Sequence, residues 1–157
     1  AGWIDARGRI AAAHASGHER VRAITLAEET PRVPALRFSQ HDVRAVQLAK
    51  SAIRTGVKLL ADQAGVDEAA IDRFVIAGAF GAYIGVDACV AIGLLPELPR
   101  ERFVQVGNAA GLGVQQMLTS LPRRQRAAQL AREARYVELS ARTDFQRTFL
   151  HHIGFAP

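Results

Sequence analysis

Cysteine is almost absent from this 157-residue sequence, in which Cys89 is the only one. One thiol cannot build a disulfide framework or a thiolate cluster, so we expect a protein of a reducing compartment, the cytoplasm. Long hydrophobic runs are also missing, because no apolar stretch approaches the roughly 20 residues that cross a bilayer as a helix. We therefore expect no disulfide, no thiolate-bound metal cluster in this chain and no membrane-spanning helix.

Lysine is scarce as well: Lys50 and Lys58 are the only two, so arginine carries most of the net charge of +5. Excess positive charge can attract nucleic acid, and aromatic side chains then usually lie among the basic ones. Here aromatic residues make up 6% of the sequence and the basic residues are spread along the whole chain. This distribution favours solvated arginine side chains and a protein without a nucleic-acid partner.

The length and composition predict a single domain that spans residues 1–157. Apolar residues account for 49% of the sequence and charged residues for 22%, which is ordinary for a globular protein with its own core. The sequence begins with Ala1-Gly2-Trp3-Ile4 rather than with Met, as the interior of a longer chain does. We therefore expect a fragment of a larger protein.

Strand-like and helical patterns alternate along the chain, which predicts an α/β fold. The first 38 residues predict hairpins and short strands, with a turn at Arg7-Gly8 and a strand within 21–26. His14 and His18 fall between them without a third metal ligand nearby, so a surface loop is favoured over a metal site. Further strands are predicted at 73–77, 103–106 and 136–139, and further helices at 67–71, after Asp87, and at 107–119, 122–135 and 143–153.

The strongest helix signal begins at Ser39. Asp42 follows it by three residues and completes a variant of the capping box. The helix is predicted from about Gln40 to Gln63, with Gly65 as its end, and its buried stripe has the 3.6-residue period of Val46, Ala49, Ile53, Val57 and Leu60. Beside that stripe lies a polar flank that consists of Gln47, Lys50 and Arg54. This flank could hold an adenine or a ribose, or it could be a solvated edge; the residues alone favour the solvated edge.

Two apolar runs end in small residues and then enter a helical stretch. The first reads V-I-A-G-A-F-G at 75–81, and the second reads V-G-N-A-A-G-L-G at 106–113. Glycine at a strand end lets a ligand approach the backbone because no Cβ intervenes, and the N-terminus of the following helix attracts anions such as phosphate. We expect both bends to meet at one edge of a sheet and to form one wall of a nucleotide cleft, whose other wall lies outside this sequence.

The order of these segments resembles the C-terminal half of the superfamily of acetate and sugar kinases, heat-shock chaperones and actin (ASKHA). Residues 76–81 resemble its adenosine motif, with alanine in place of one glycine of the usual pair, and residues 107–113 resemble its closing helix. The resemblance implies the C-terminal lobe of an actin-like ATPase, a ribonuclease-H-like fold with a mixed sheet flanked by helices. It implies nucleotide contacts from Gly78, Ala79, Phe80 and Gly81, with Asn108 and Gly111 nearby and with Gln47, Lys50 and Arg54 as further candidates.

A closer resemblance covers most of the chain and concerns the reductive activators of corrinoid proteins. It rests, in the order of that family, on residues 39–53, the A-G-A-F-G turn, I-G-L-L-P at 92–96, V-G-N-A-A-G and Y-V-E-L at 136–139. The family implies an N-terminal [2Fe-2S] ferredoxin-like domain, a linker and a large C-terminal ATPase-like domain. This chain would be the C-terminal part, without the iron–sulfur domain and without the phosphate-binding half of the cleft.

The same resemblance implies the chemistry of the full-length protein. Such an activator couples ATP and Mg to electron delivery, which reduces Co(II) to Co(I) in a corrinoid protein of a methyltransferase system. The partners implied are that corrinoid protein and a nucleotide, and homodimer formation is left open. The resemblance assigns no catalytic residue to this chain, which we expect to be inactive alone.

Two other interpretations remain open at this point. In one, the chain is a non-catalytic docking module for the corrinoid protein: the glycines only permit close packing, and the arginine-rich helix after Pro122 is the interface. In the other, the chain is a lobe of a small-molecule kinase.

Overall fold

The computed structural model describes residues 2–12 and 22–155, in which strands and helices alternate. The strands are β1 (Ala23–Ala27), β2 (Leu36–Ser39), β3 (Phe74–Ala77) and β4 (Phe103–Gly107). The α-helices are α1 (Gln40–Ala64), α2 (Val86–Ala91), α3 (Ala109–Thr119), α4 (Leu121–Glu133) and α5 (Phe145–His151), and short 3-10 turns occur at Glu68–Ala70, Phe80–Ala82, Arg100–Arg102 and Leu139–Ala141. The predicted α/β class is confirmed, whereas His14 and His18 lie outside the described residues.

The described strands form two small sheets of opposite character. Strands β1 and β2 pair antiparallel, with Ile24 opposite Phe38, and strands β3 and β4 pair in parallel, with Phe74 opposite Phe103. Ahead of them, the N-terminal hairpin is closed by an antiparallel bridge between Ile4 and Ile10. Because β3 and β4 run in the same direction, their C-terminal ends emerge at the same edge of the sheet.

One face of the β3–β4 sheet covers an apolar core. Val86, Cys89, Leu95 and Phe103 are buried there, and the rings of Phe74 and Phe103 lie with their centroids 5.5 Å apart. On the opposite face, Val75 is 52% exposed, so the strand predicted at 73–77 is covered on one face only. Strands of parallel sheets are normally covered on both faces, and the described residues cover only one of them.

Helix α1 begins and ends as predicted. Ser39 and Asp42 form the complete capping box, and Gly65 ends the helix in the left-handed region at φ +67°. The predicted buried stripe is wrong, however, because Ile53 and Leu60 are about half exposed. The buried positions of α1 include Gln47 and Lys50 of the polar flank; the full set is Val43, Gln47, Lys50, Ser51, Thr55, Leu59 and Ala61. Neither α1 nor any other helix of the described ranges is long and apolar enough to cross a membrane.

The polar flank of α1 is buried because its side chains bind the backbone of both ends of the described chain. Gln47 Nε2 donates to the carbonyl oxygen of Arg7 at 3.2 Å. Lys50 Nζ donates to the carbonyl oxygen of His152 at 2.7 Å and also to that of Gly154. Buried polar groups are tolerated when their hydrogen bonds are satisfied, so periodicity of apolar residues alone selected the wrong face.

The strand predicted at 136–139 is also wrong. This segment pairs with no strand of the described chain, and a 3-10 turn occupies Leu139–Ala141 instead. Tyr136 is 85% exposed, and its hydroxyl donates to Glu138 Oε2 at 2.5 Å, while Ser140 Oγ donates to the same carboxylate. Local side-chain hydrogen bonds hold these residues in place of a sheet ladder.

Candidate functional site

The two glycine-containing bends meet at the C-terminal ends of β3 and β4. The N–H of Gly78 donates to the carbonyl oxygen of Gly107 at 2.6 Å, which joins the bends directly across the two strands. The 3-10 turn Phe80–Ala82 follows the first bend, and α3 follows the second. The structure thus confirms that the two bends, about 30 residues apart in sequence, meet at one edge of a sheet.

The main chain at this edge is accessible at Gly78 and Gly107. Gly78 has φ +100° and Gly107 has φ +59°, and no heavy atom lies within 4 Å of the position that a Cβ would take at either residue. Positive φ at a strand end favours glycine, and the empty space above it lets another molecule reach the main chain. Together these two residues form a patch of accessible main chain, called the cradle below, and a side chain at either position would cover it.

The other two site glycines have a packing role. A Cβ at Gly81 would lie 2.7 Å from Ile76 Cγ2, and a Cβ at Gly111 would lie 2.6 Å from Asn108 Nδ2. Asn108 is the N-cap of α3, and its Oδ1 accepts from the N–H of Gly111 at 2.9 Å. Glycine at 111 therefore makes room for the cap that places the start of α3 beside the cradle.

Gln47, Lys50 and Arg54 lie apart from this edge, on the buried flank of α1. Arg54 forms a bidentate ion pair with Glu68, with N–O distances of 2.5 and 2.6 Å, while Gln47 and Lys50 bind the terminal segments. The solvated edge favoured by the residues alone is therefore wrong. Lys50 is 2% exposed, and burial, with a smaller contribution from the charge of Arg54, lowers the pKa of its ammonium.

A cavity of about 590 Å³ lies beside these α1 residues and not at the cradle. Lys50, Arg54, Glu68 and His152 line part of it, and none of the residues of the two bends does. Three of its charged side chains are already engaged, because Arg54 pairs with Glu68 and Lys50 donates to main-chain carbonyls. We therefore place the candidate site at the cradle, which is open on one side, and assign the cavity to the packing of α1.

His152 gives this packing a pH dependence. Burial first, and then the nearby charges of Arg54, His151 and Lys50, lower the pKa of its imidazole from 6.5 to about 4. The unfolded chain therefore binds the proton more tightly than the folded chain, so that protonation below pH 6.5 favours unfolding. For this partly exposed group we expect about 1–2 kcal/mol of stability to be lost between pH 6.5 and pH 4.

The measurement is the free energy of unfolding by urea at several pH values. His152→Gln should flatten the decline between pH 6.5 and 4 relative to the wild type, whereas His151→Gln, at the exposed neighbouring position, should keep it. Equal slopes for the two variants would contradict the assignment of this dependence to His152.

The described residues contain no group of three or more His, Cys, Asp or Glu side chains that could hold a metal ion. Cys89 is buried in the core below β3 and β4, and burial raises the pKa of its thiol, so it packs as a neutral side chain. An iron–sulfur cluster does not fit the residues present. An open main-chain cradle beside a helix N-terminus fits a nucleotide better than it fits a metal.

The chain is similar in sequence and in fold to known proteins. Residues 1–156 match the family described as the C-terminal domain of RACo, the ASKHA domain. This chain belongs to that family. The predicted fold, the C-terminal lobe of an actin-like ATPase, and the resemblance to reductive activators of corrinoid proteins are both confirmed.

Two relatives are considerably longer than this chain. It is 37% identical over 138 residues to the corrinoid activation enzyme RamQ of Eubacterium limosum, which covers 88% of this chain and 23% of that protein. A solved structure of a reductive activator for corrinoid, iron-sulfur protein is similar over 98% of this chain with a TM-score of 0.85 and 29% identity. The match covers 26% of that structure, so the chain spans about a quarter of the length of each relative.

Sequence reasoning missed Gln105 at this edge. Its Nε2 donates to the carbonyl oxygens of Gly81 at 2.6 Å and of Ile84 at 3.0 Å, which fastens the turn after the first bend to β4. A signal was present, because Gln105 is a polar residue within the apolar strand F-V-Q-V. A polar side chain in a buried-looking strand indicates a specific hydrogen-bonding task.

Proposed function

We propose that this domain is the ATP-binding C-terminal lobe of an iron–sulfur protein that reductively activates a corrinoid protein of a methyltransferase system. In this proposal the intact protein couples ATP to the reduction of Co(II) to Co(I). The observation that carries it is the cradle at Gly78 and Gly107, which leaves main chain open beside a helix N-terminus in a domain of the RACo family.

The cradle supplies one side of the nucleotide site. Gly78 and Ala79 would lie against the nucleotide with their main chain, and Asn108 would keep the first turn of α3 in place through its hydrogen bond to Gly111. Phe80 offers an exposed ring on the adjoining turn. The Mg ion that accompanies ATP would take its protein ligands from the remainder of the intact protein, and the [2Fe-2S] cluster would lie there as well.

A cleft that closes on ATP explains why a nucleotide would assist an electron transfer. Reduction of Co(II) to Co(I) is unfavourable for ordinary donors, and a ligand shifts such an equilibrium only if it binds one state of the protein more tightly than the other. Closure of two lobes around ATP, followed by hydrolysis to ADP and phosphate, provides two such states.

The test uses the intact protein, its corrinoid partner and a chemical reductant. The visible spectrum of the corrinoid should change from Co(II) to Co(I) when ATP is added and should change far more slowly with ADP. Reduction at the same rate without nucleotide would overturn the proposal. Formation of a phosphorylated small molecule from ATP would instead support the kinase interpretation.

A docking role has an observation of its own. Helix α4 has no buried residue, and its Arg123, Arg126 and Arg132 form none of the ion pairs found among the described residues. Arg124 differs, because its guanidinium donates to the carbonyl oxygen of Met117. If α4 is the interface, substitution of Arg123, Arg126 and Arg132 by glutamate should weaken binding of the corrinoid protein and leave the affinity for ATP unchanged. A variant that loses affinity for ATP and still binds the corrinoid protein would reject the docking role.

A further inference from the structure

The turn after the first bend presents two aromatic side chains to solvent. Phe80 is 82% exposed and Tyr83 is 89% exposed. The N–H of Tyr83 donates to the carbonyl oxygen of Phe80 at 3.1 Å, so the two residues are three positions apart on one 3-10 turn. Residues at this spacing lie above one another on a 3-10 helix, which puts both side chains on one side of the turn.

This turn is held firmly from below. Gly81 is buried with its main chain against Ile76, and Ile84 packs against the core under β3 and β4. Gln105 donates to the carbonyl oxygen of Gly81, between the two aromatic residues, and to that of Ile84, directly after Tyr83. The rings are therefore exposed on a fixed support, and exposed aromatic area on a rigid support marks a binding surface.

We infer that Phe80 and Tyr83 form a stacking platform for the purine base of the nucleotide, and that Gln105 is the residue that positions it. This inference rests on the proposed nucleotide site. The platform adjoins the cradle in sequence and in space, because Gly78 begins the same turn: its carbonyl oxygen accepts from the N–H of Ala82 at 3.3 Å. A nucleotide lying against the cradle would have its base within reach of the two rings.

The chemistry of the platform predicts base preference. A flat aromatic surface binds larger π-systems more strongly, and removal of one stacking side chain typically weakens binding about tenfold or more. Phe80 and Tyr83 offer rings for stacking, and the two residues between them, Gly81 and Ala82, carry no polar side chain that could bind a base edge. We therefore expect preference for purine over pyrimidine nucleotides, set by ring area.

The experiment measures dissociation constants of ATP and CTP for the intact protein by calorimetry. The wild type should bind ATP more tightly than CTP. The double variant Phe80→Ala and Tyr83→Ala should lower the affinity for ATP at least tenfold and the affinity for CTP much less, so that the preference for ATP falls. Tyr83→Phe keeps the ring and should therefore retain the wild-type preference for ATP. Gln105→Leu should lower that preference. Truncation of such exposed rings leaves no cavity, so these variants should fold.

Tyr136→Ala is the matched control, because Tyr136 is the other tyrosine of the chain, is 85% exposed and does not belong to the turn. It should leave both dissociation constants unchanged. If the wild type binds ATP and the double variant keeps its affinity and its preference, the platform is overturned while the proposed function stands. If the wild type binds neither nucleotide, the proposed function itself is overturned.

Discussion

Gly78→Ala is expected to weaken ATP binding by the intact protein about tenfold or more. The residue has φ +100°, and the space where a Cβ would stand is empty. An alanine there would place a methyl group in the cradle and would force the main chain toward another conformation, which costs on the order of 1–3 kcal/mol. That movement would also disturb the hydrogen bond from Gly78 to Gly107. Calorimetric titration with ATP measures the effect.

Backbone strain can lower the apparent affinity for ATP simply because less of the protein is folded. A control variant with similar strain at another glycine is therefore needed. Gly65 has φ +67° and also has nothing within 4 Å of a Cβ position, and it is the C-cap of α1. Gly65→Ala should therefore lower stability by a similar amount and leave the dissociation constant of ATP unchanged. An unchanged ATP affinity in a folded Gly78→Ala variant would remove the cradle from the site.

Lys50→Met is expected to destabilise the fold by about 2 kcal/mol. Two buried carbonyl oxygens, of His152 and Gly154, would lose their donor, and each unsatisfied buried acceptor costs on the order of 1–3 kcal/mol. Relief from burying an unpaired ammonium offsets part of that cost, and methionine keeps most of the packing volume. The midpoint and slope of urea unfolding measure the change.

Lys58 provides the matched control for Lys50, since it is the only other lysine of the chain and lies on the same helix. Its side chain is 42% exposed and pairs with Asp62, so Lys58→Met should change stability by no more than about 0.5 kcal/mol. The same pair tests Lys50 as a nucleotide residue. If Lys50→Met weakens ATP binding in protein that remains folded, Lys50 belongs to the site after all.

The buried polar face of α1 explains how the ends of the described chain are brought together. Gln40 accepts from the N–H of Ile10 at 3.0 Å, and Gln47 and Lys50 bind Arg7 and the C-terminal segment. The N–H of Phe155 in turn donates to the carbonyl oxygen of Ala6 at 2.9 Å. The helix therefore binds both ends of the described chain through main-chain N–H and carbonyl groups.

Local chemistry was readable in the sequence wherever one short segment decides the outcome. The capping box at Ser39 and the left-handed end at Gly65 are confirmed, because each depends on residues within one or two helical turns. The strand at 103–106 and the helix after Asn108 are also confirmed, within one or two residues of their predicted bounds. The glycine bends were likewise visible as breaks between an apolar run and a helical one.

The buried face of α1 was not readable in this way. Val46, Ile53 and Leu60 have the spacing of a core stripe, yet the described structure buries Gln47, Lys50 and Ser51 instead. The decision depends on carbonyl oxygens near residues 7 and 149–154, which lie about 40 and 100 positions away in sequence. No local pattern contains that information.

Sequence alone thus determined the family resemblance, the α/β class and the positions of the two bends, because these depend on ordered motifs and on the properties of glycine in short segments. Only the tertiary structure decided that Gly78 bonds Gly107, that Gln105 fastens the aromatic turn, and that Lys50 is a buried clamp. Each of these is a hydrogen bond between distant segments. Its partner is fixed by the packing of strands and helices and not by neighbours along the chain.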